Sequence, residues 1–484
     1  MFRLFSLSLF LIVIRIVNSD SINESLNWAE VTGTRLVSCY YHNLTGLMLN
    51  EEKWQSGNTL ESLANLISII DSPLKYIFNH TFIRTDKSTG GNCYDDHQWW
   101  LLAWIQIYQV DPNMKYLHRA KDIYDTITKE AWSTNQCSGG LRWCPTRTYK
   151  NAITNELFLS SSMRLHPYTS ILGKSSNYYL DWAIKEWNWF ENSGMINNYY
   201  LINDGLTSQD KSSLKNFISS NDNKCINNNG TTWTYNQGVI LSGLALLYNA
   251  TNNITLLNIA QNIADATIER LIYSNGILKE ECEPNNCDND QKLFKGIFIR
   301  HLGYLIPFIK DSSYKNKFIS FIQNNTISIL TKNRCEIDGL FGLLWNNNSS
   351  SSCQSVRNTA TTSAALDLFT TLVKTKQSTT IITSSKFILF GLGNCIDEKN
   401  SSMPNFYSNR VNETICYLTA INDKGAIAFD YQLNCNGNQF CRIRTLSDKH
   451  QTPPGFNYQD GIARNVTHTN KIPLTNCYIR RNNL

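Results

Sequence analysis

The sequence predicts an all-α fold, an (α/α)6 barrel, followed by a small C-terminal domain that is disulfide-rich and contains β-structure. Three observations lead there. Apolar residues recur with helical period in segment after segment up to about residue 377. These segments alternate short links with long loops rich in polar and aromatic residues. Beyond residue 380 the pattern gives way to short β-like runs, and Cys395, Cys416, Cys435, Cys441 and Cys477 fall there.

In chain order the helical segments are 26–46, 57–71, 73–84, 96–110, 115–130, 152–166, 175–194, 234–250, 252–274, 291–309, 312–332 and 355–377. Links such as Val110-Asp111-Pro112 and Asn249-Ala250-Thr251 are short and join the two members of a pair. A longer loop precedes each even-numbered member. This alternation predicts that the even-numbered helices form the inner ring and that the long loops gather at one mouth. Those stretches read KWQSGNTLES, GGNCYDDHQWW, RWCPTRTYKNAITNE, TTWTYNQG and DNDQKLFKGIFIR, before the second, fourth, sixth, eighth and tenth segments. Recurrence of Trp, Tyr, Asn and charged residues at the same place in successive pairs points to a cleft. After residue 380, Lys386 to Phe390, Ile415 to Thr419 and Ala426 to Gln432 read as strands. The expected division is a signal peptide over 1–19, a barrel domain over 20–380 and a cysteine-rich domain over 385–484.

The balance of 44 basic against 39 acidic residues, a formal charge of +5, excludes a polyelectrolyte and argues against nucleic acid as partner. With 42% hydrophobic and 17% charged residues the chain is neither disordered nor a coiled coil. Its polar material is mostly neutral Asn, Ser, Thr and Tyr, which suits a neutral polyol. Met1-Phe2-Arg3, an apolar run from Leu4 to Val17, and Asn18-Ser19 read as a secretory signal. The run is too short, and too interrupted by Arg15, for a membrane anchor. Glycosylation acceptor motifs begin at Asn23, Asn43, Asn79, Asn229, Asn249, Asn253, Asn324, Asn347, Asn348, Asn400, Asn412 and Asn465. Together these features predict a secreted, extracellular glycoprotein with no membrane partner. In that setting 14 cysteines read as disulfides before metal ligands. Neither a CxxC pair nor an HExxH motif occurs, so no cofactor and no metal is expected. The acidic run Asp288-Asn289-Asp290 is the one place where calcium deserves a chelator test.

The sharpest chemical feature is Tyr94-Asp95-Asp96-His97-Gln98-Trp99-Trp100, two adjacent carboxylates at a helix start with aromatic neighbours. An Asp there caps the helix and meets the positive end of its dipole, which accounts for one of the two. A second beside it invites the division of labour that glycoside hydrolysis needs, one carboxyl neutral and one anionic. Side chains of adjacent helical residues point about 100° apart. Convergence on one sugar would then use the irregular turn that Gly90 and Gly91 allow. Trp54, Asn58, Tyr94, Trp99, Arg147, Tyr149, Lys150, Asn151, Tyr235, Asn236, Gln237, Lys295 and Arg300 lie in or beside the mouth loops and are the candidate sugar contacts. For Arg147, Lys295 and Arg300 the competing role is a structural ion pair with Asp290, Glu280 or Glu281.

The stretches YDDHQWWLLAWIQIY (94–108), GGLRWCPTRTYKNAITNELFL (139–159), TWTYNQGVILSGLALLY (232–248), NGILKEEC (275–282) and FKGIFIR (294–300) resemble glycoside hydrolase family 76, the α-1,6-mannanases, in order and spacing. The resemblance covers most of residues 26–377. It implies an (α/α)6 barrel and retaining, endo-acting hydrolysis of α-1,6-linked mannan or mannoprotein polysaccharide. It further implies Asp95 as nucleophile and Asp96 as acid/base. His97 departs from the family pattern, and Cys93 suggests a disulfide-pinned loop. The C-terminal cysteines and the AFDYQ run resemble the PAN/apple module, which implies a carbohydrate- or protein-binding role. Two alternatives accompany the main reading. One is a mannan transglycosidase, disfavoured because no hydrophobic tail follows Tyr478-Ile479-Arg480-Arg481. The other is a catalytically inactive mannan-binding lectin or adhesin.

Overall fold

The computed structural model describes residues 25–49, 51–86, 90–208, 225–335, 340–346 and 357–377, together with the C-terminal strand residues named below. The expected signal peptide lies outside the described residues.

Twelve α-helices occur among the described residues, one for each expected segment. They are α1 (25–40), α2 (Lys53–Ile67), α3 (Tyr76–Arg84), α4 (Tyr94–Val110), α5 (Met114–Glu130), α6 (Ala152–Leu165), α7 (Tyr178–Asn192), α8 (Thr234–Thr251), α9 (Ile254–Arg270), α10 (Gln291–Leu305), α11 (Ser312–Lys332) and α12 (Thr359–Gln377). The even-numbered helices pack in a closed ring, α2 on α4, α4 on α6, and so on through α12 back to α2. From outside, α5 packs on α4, α7 on α6, α9 on α8 and α11 on α12. This is the (α/α)6 barrel.

Burial explains the two classes of helix. All 14 residues of α6 are buried, and α4 and α8 are apolar or neutral on nearly every face, as befits helices surrounded by others. By contrast α5 buries Tyr116, Leu117, Ala120, Ile123, Tyr124 and Ile127 and gives its other side to solvent. Inner helices also approach closely, and glycine permits it. A Cβ on Gly238 would run into the backbone of Phe298, and one on Gly296 into that of Ala364.

Several boundaries differ from expectation for identifiable reasons. The first helix stops at residue 40 because Tyr41–His42 (β1) turns back on Leu47–Met48 (β2). The second begins at Lys53 rather than 57, where Glu52 and Gln55 form a reciprocal capping box. The fourth begins at Tyr94 rather than 96, which puts both aspartates inside its first turn instead of the turn before it. A further hairpin pairs Leu206–Ser208 (β3) with Cys225–Asn227 (β4) beside the mouth.

Toward the C-terminus, Phe387–Leu392 (β5), Asn405–Ser408 (β7), Ala426–Leu433 (β8), Gln439–Thr445 (β9), Asn457–Gln459 (β10) and Thr475–Arg480 (β12) form a six-stranded sheet in the order β10-β7-β9-β8-β12-β5, every pairing antiparallel. Cys395–Ile396 (β6) pairs with His468–Thr469 (β11). Strands were therefore correctly expected at 386–390 and 426–432, whereas 415–419 lies outside the described residues. Disulfides join Cys93 to Cys144, Cys137 to Cys225 and Cys282 to Cys287, and Cys335 is also disulfide-bonded.

Candidate active site

At the mouth, Asp95 and Asp96 occupy the first turn of α4 and part company there. Asp96 folds back: its Oδ2 accepts the backbone N–H groups of Asn92 and Cys93, each at 3.1 Å. The preceding turn makes room for it. Gly91 has φ +146°, and a Cβ there would collide with the Asp96 carboxyl. Asp95 takes a different partner, its Oδ2 accepting the Trp143 indole N–H at 2.9 Å. Its other oxygen, Oδ1, is buried with no hydrogen-bond partner. The Trp143 loop is in turn fixed to α4, because the Trp143 carbonyl accepts the Tyr94 N–H at 2.8 Å and the Cys93–Cys144 disulfide lies alongside. The expected pinning of this loop is thus met by its joining the loop before α6.

Both carboxyls are held above the ordinary aspartate range. Burial raises Asp95 well above it, the neighbouring Asp96 charge adds to this, and the Trp143 bond works against it. Burial likewise lifts Asp96 to about 6, opposed by its two backbone N–H bonds and assisted by Asp290 and Glu52. A pair this close keeps one proton until well above the usual carboxylate range. If the reaction needs the singly protonated pair, kcat/KM should rise as the first proton leaves and fall as the second leaves. A bell-shaped profile whose maximum lies above about pH 6 is the expected result of a rate measurement across pH. The fold binds these protons more tightly than the unfolded chain. Their contribution to stability is therefore greatest below about pH 4 and declines as pH rises through the folded value near 6.

Around the pair stand aromatic and polar groups from the neighbouring inner helices. Tyr235 on α8 stacks on Phe294 of α10 with ring centroids 3.8 Å apart. The charges of Asp204, Asp95, Glu156 and Asp290 all act on its hydroxyl, which burial raises first and foremost. Asp290 accepts the Trp54 indole N–H at 3.1 Å and the Gln55 amide at 2.6 Å. Tyr149 donates to Asp204 at 2.5 Å and accepts from Asn228 at 2.9 Å. Trp99 is buried and tilted against Trp54 at 5.5 Å. Arg147 is exposed over the Trp143 ring.

Other expected sugar contacts are committed to the protein itself. Gln237 bonds the backbone of Ile202 in both directions and the Trp233 carbonyl. Lys150 is buried and donates to the carbonyls of Ser133 and Gly140. Lys295 pairs with Glu283 and donates to the Leu343 carbonyl at 2.8 Å. Arg300 and Asn58 sit deeper than the mouth, bonded to each other, with Arg300 also pairing with Asp367 at 2.9 Å and Glu61 at 3.5 Å. Ion pairs for Lys295 and Arg300 were foreseen, but with the wrong acids: Glu283, Glu61 and Asp367 take the places expected of Asp290, Glu280 and Glu281. Asn236 and Asn151 remain, with buried side-chain atoms lacking hydrogen-bond partners.

The sequence reading passed over Trp143 and Asp204, and took Asp290 only as a calcium candidate or an ion-pair partner. Only the disulfide partnership of Cys93 and Cys144, flanking Asp95 and Trp143, could have linked the two loops in advance. A group of Cys93, Asp95 and Asp96 has metal-like spacing, but its sulfur is in a disulfide. One side-chain oxygen of each residue in the 288–290 run is engaged within the protein, Asp288 Oδ1 with the Gln291 N–H, Asn289 Oδ1 with Lys292 and Asp290 Oδ1 with Trp54 and Gln55.

Comparison with known proteins agrees with this architecture. The chain is 31% identical over 250 residues to the mannan endo-1,6-alpha-mannosidase DCW1 of Candida glabrata, covering 48% of this chain and 51% of the relative. It is 29% identical over 279 residues to the DCW1 protein of Saccharomyces cerevisiae, covering 54% and 56%. It therefore spans about half the length of these curated relatives. Among solved structures it resembles an inactive variant of the α-1,6-mannanase GH76A of Salegentibacter sp. HEL1_6, with two consecutive aspartates changed to alanine, in complex with α-1,6-mannotetrose. The TM-score is 0.62 at 20% identity, over 73% of this chain and 99% of that one. Dfg5 from Chaetomium thermophilum in complex with glucosamine gives 0.61 at 18% identity, over 72% and 90%. These structural likenesses concern the fold. No helix among the described residues is long and apolar enough to cross a membrane. The family model of glycosyl hydrolase family 76 matches residues 44–384, most of the chain and α2 through α12 of its barrel, and the chain belongs to that family.

Proposed function

We propose that the chain is a secreted glycoside hydrolase that cuts α-1,6-linked mannan internally, with Asp95 and Asp96 as the catalytic pair. The observation that carries this is the pair itself: consecutive carboxyls at the rim of an inner helix, each fixed by different donors and both raised in pKa. Family membership and the curated α-1,6-mannosidase relatives support the substrate class.

In this reading Asp95 is the nucleophile. Trp143 holds one of its oxygens and the unpartnered Oδ1 forms the bond to the anomeric carbon as the bond to the leaving O6 breaks. Asp96, near pKa 6, gives its proton to that departing oxygen. It then takes a proton from water, whose oxygen attacks the anomeric carbon and releases Asp95. In the resting site burial favours protonated Asp95, so the incoming sugar must leave the pair's one proton on Asp96.

Two displacements return the original configuration. Proton NMR during early turnover should show the α-anomer first; initial β-product would mean single displacement, with one aspartate activating water.

For the C-terminal region we propose a separate binding domain over about 385–484 that holds insoluble polysaccharide or a protein partner. Attachment would raise effective substrate concentration without altering the chemical step. A chain ending near residue 380 should keep its rate on soluble oligosaccharides and lose affinity for cell-wall mannan. Loss of the soluble activity in a folded truncation would place part of the site in that region.

A further inference from the structure

The first two turns of the inner helices carry buried polar atoms with no hydrogen-bond partner among the described residues. They are Nδ2 of Asn58, Oε1 of Gln98, both carboxyl oxygens of Glu156, both amide atoms of Asn236 and Oγ1 of Thr362. Leaving such groups unpaired in a protein interior is unfavourable, and a site for hydroxyl-rich ligands is one physical reason to keep them. Glu156 is the extreme case. It is 0% exposed, yet neither oxygen meets a donor. Glu61 and Glu280, also buried, do have partners: Glu61 pairs with Arg164 through Oε1 and with Arg300 at 3.5 Å through Oε2, and Glu280 accepts from Thr234. Asn155, the neighbour of Glu156, is fully engaged with Leu141 and the Asn151 carbonyl. Glu186 is also unpaired, but on the outer helix α7, where the nearby charges are Lys150 and Lys185.

Placement argues for a ligand role. Helix α6, which carries Glu156, packs between α4, which carries Asp95, and α8, which carries Asn236. Glu156 lies four residues past the start of its helix, about 6 Å below the rim at 1.5 Å per residue. Tyr235, beside Asn236, lies within electrostatic reach of both Asp95 and Glu156. Burial and the charge of Asp204 keep Glu156 protonated. A neutral carboxyl offers one donor and one acceptor, and the Asn236 amide offers the same.

We infer that Glu156 and Asn236 form the floor of the sugar site and select the substrate by binding two neighbouring ring hydroxyls of the unit attacked at Asp95. This rests on the reading of Asp95 and Asp96 as the catalytic pair. A floor built to bond hydroxyls discriminates strongly against sugars that lack them, because its own polar groups are then left unpaired.

The test combines affinity, kinetics and stability. Binding of α-1,6-mannotriose is measured by calorimetry in an Asp96→Asn background, and kcat/KM on α-1,6-mannan with the pair intact. Glu156→Leu should weaken binding and lower kcat/KM by about 30-fold or more, while melting at the same temperature as its parent or higher. Glu156→Gln keeps a donor and an acceptor and should stay within about threefold. Asn236→Ala should weaken binding in the same direction as Glu156→Leu. Unchanged affinity and kcat/KM in Glu156→Leu and Asn236→Ala, with the parent active, would overturn the floor and leave the catalytic pair standing. A large fall in melting temperature for both Glu156→Leu and Glu156→Gln would make Glu156 structural and also overturn it. A parent that neither binds nor cleaves mannan would overturn both readings.

Discussion

Replacing Asp95 by Asn is expected to remove nearly all turnover on α-1,6-mannan while leaving the fold in place. The substitution keeps an acceptor oxygen for the Trp143 indole, so local geometry survives. What disappears is the oxygen nucleophile, and with it the covalent step. Loss of a positioned acid or base alone typically costs about 10²- to 10⁴-fold, and loss of the nucleophile belongs at or beyond the upper end of that range. Asp96→Asn should fall within it and should be milder on substrates whose leaving group needs no proton. Added azide separates the roles. It should rescue Asp96→Asn as an α-mannosyl azide, formed by attack at the opposite face of the β-mannosyl enzyme, and rescue Asp95→Asn as a β-mannosyl azide, with the configuration inverted relative to the substrate. Near wild-type rates for either variant on an unactivated mannan would remove that carboxyl from the mechanism.

The largest expected loss of stability is at Glu61, not at the mouth. Glu61 is fully buried on α2 between Arg164 of α6 and Arg300 of α10. Burial pushes its carboxyl up, but the two arginines outweigh it and hold the group down near 2. Arg164 also donates to Gln106, and Arg300 to Asn58, Ser62 and Asp367, so five inner helices are tied across the barrel axis. Glu61→Ala would leave two buried guanidinium groups sharing what remains. Removing one member of a buried ion pair typically costs about 3 to 5 kcal/mol. Chemical denaturation should show a clear fall in the midpoint, with KM for mannan little changed wherever the variant is still folded. A raised KM without loss of stability would instead return Arg300 and Asn58 to the sugar site.

That contrast shows what the sequence could convey. Inner and outer helices were separable because a helix surrounded by others is apolar or neutral on every face, as in α8, whereas α5 is two-sided. Depth was not. Arg300 and Asn58 follow mouth loops closely in sequence, but nine and five residues of helix carry them about 13 and 8 Å below the start of α10 and α2 at 1.5 Å per residue. A sequence pattern gives the face of a helix and says little about how far down a cleft reaches. Asp95 and Asp96 were legible because paired carboxylates at a helix start exceed what capping needs. In the structure Asp96 does cap, and Asp95 does not. Trp143 was illegible for the opposite reason: a single Trp in a long loop has no periodic or charge signature, and its meaning comes from the Cys93–Cys144 bond. The C-terminal strands at 387–392 and 426–433 were visible as β-branched and aromatic runs, while their pairing order depends on contacts between distant segments.

The central claim is that this barrel hydrolyses α-1,6-mannan internally at Asp95 and Asp96. The most direct test incubates the purified full-length protein with linear α-1,6-mannan and follows product masses with time. The account predicts a ladder of short oligosaccharides, each carrying one added water, and no products from the Asp95→Asn protein. Products lengthened without added water would mean transfer to a sugar hydroxyl, and binding with no change in mass would mean a lectin; either result would contradict the account.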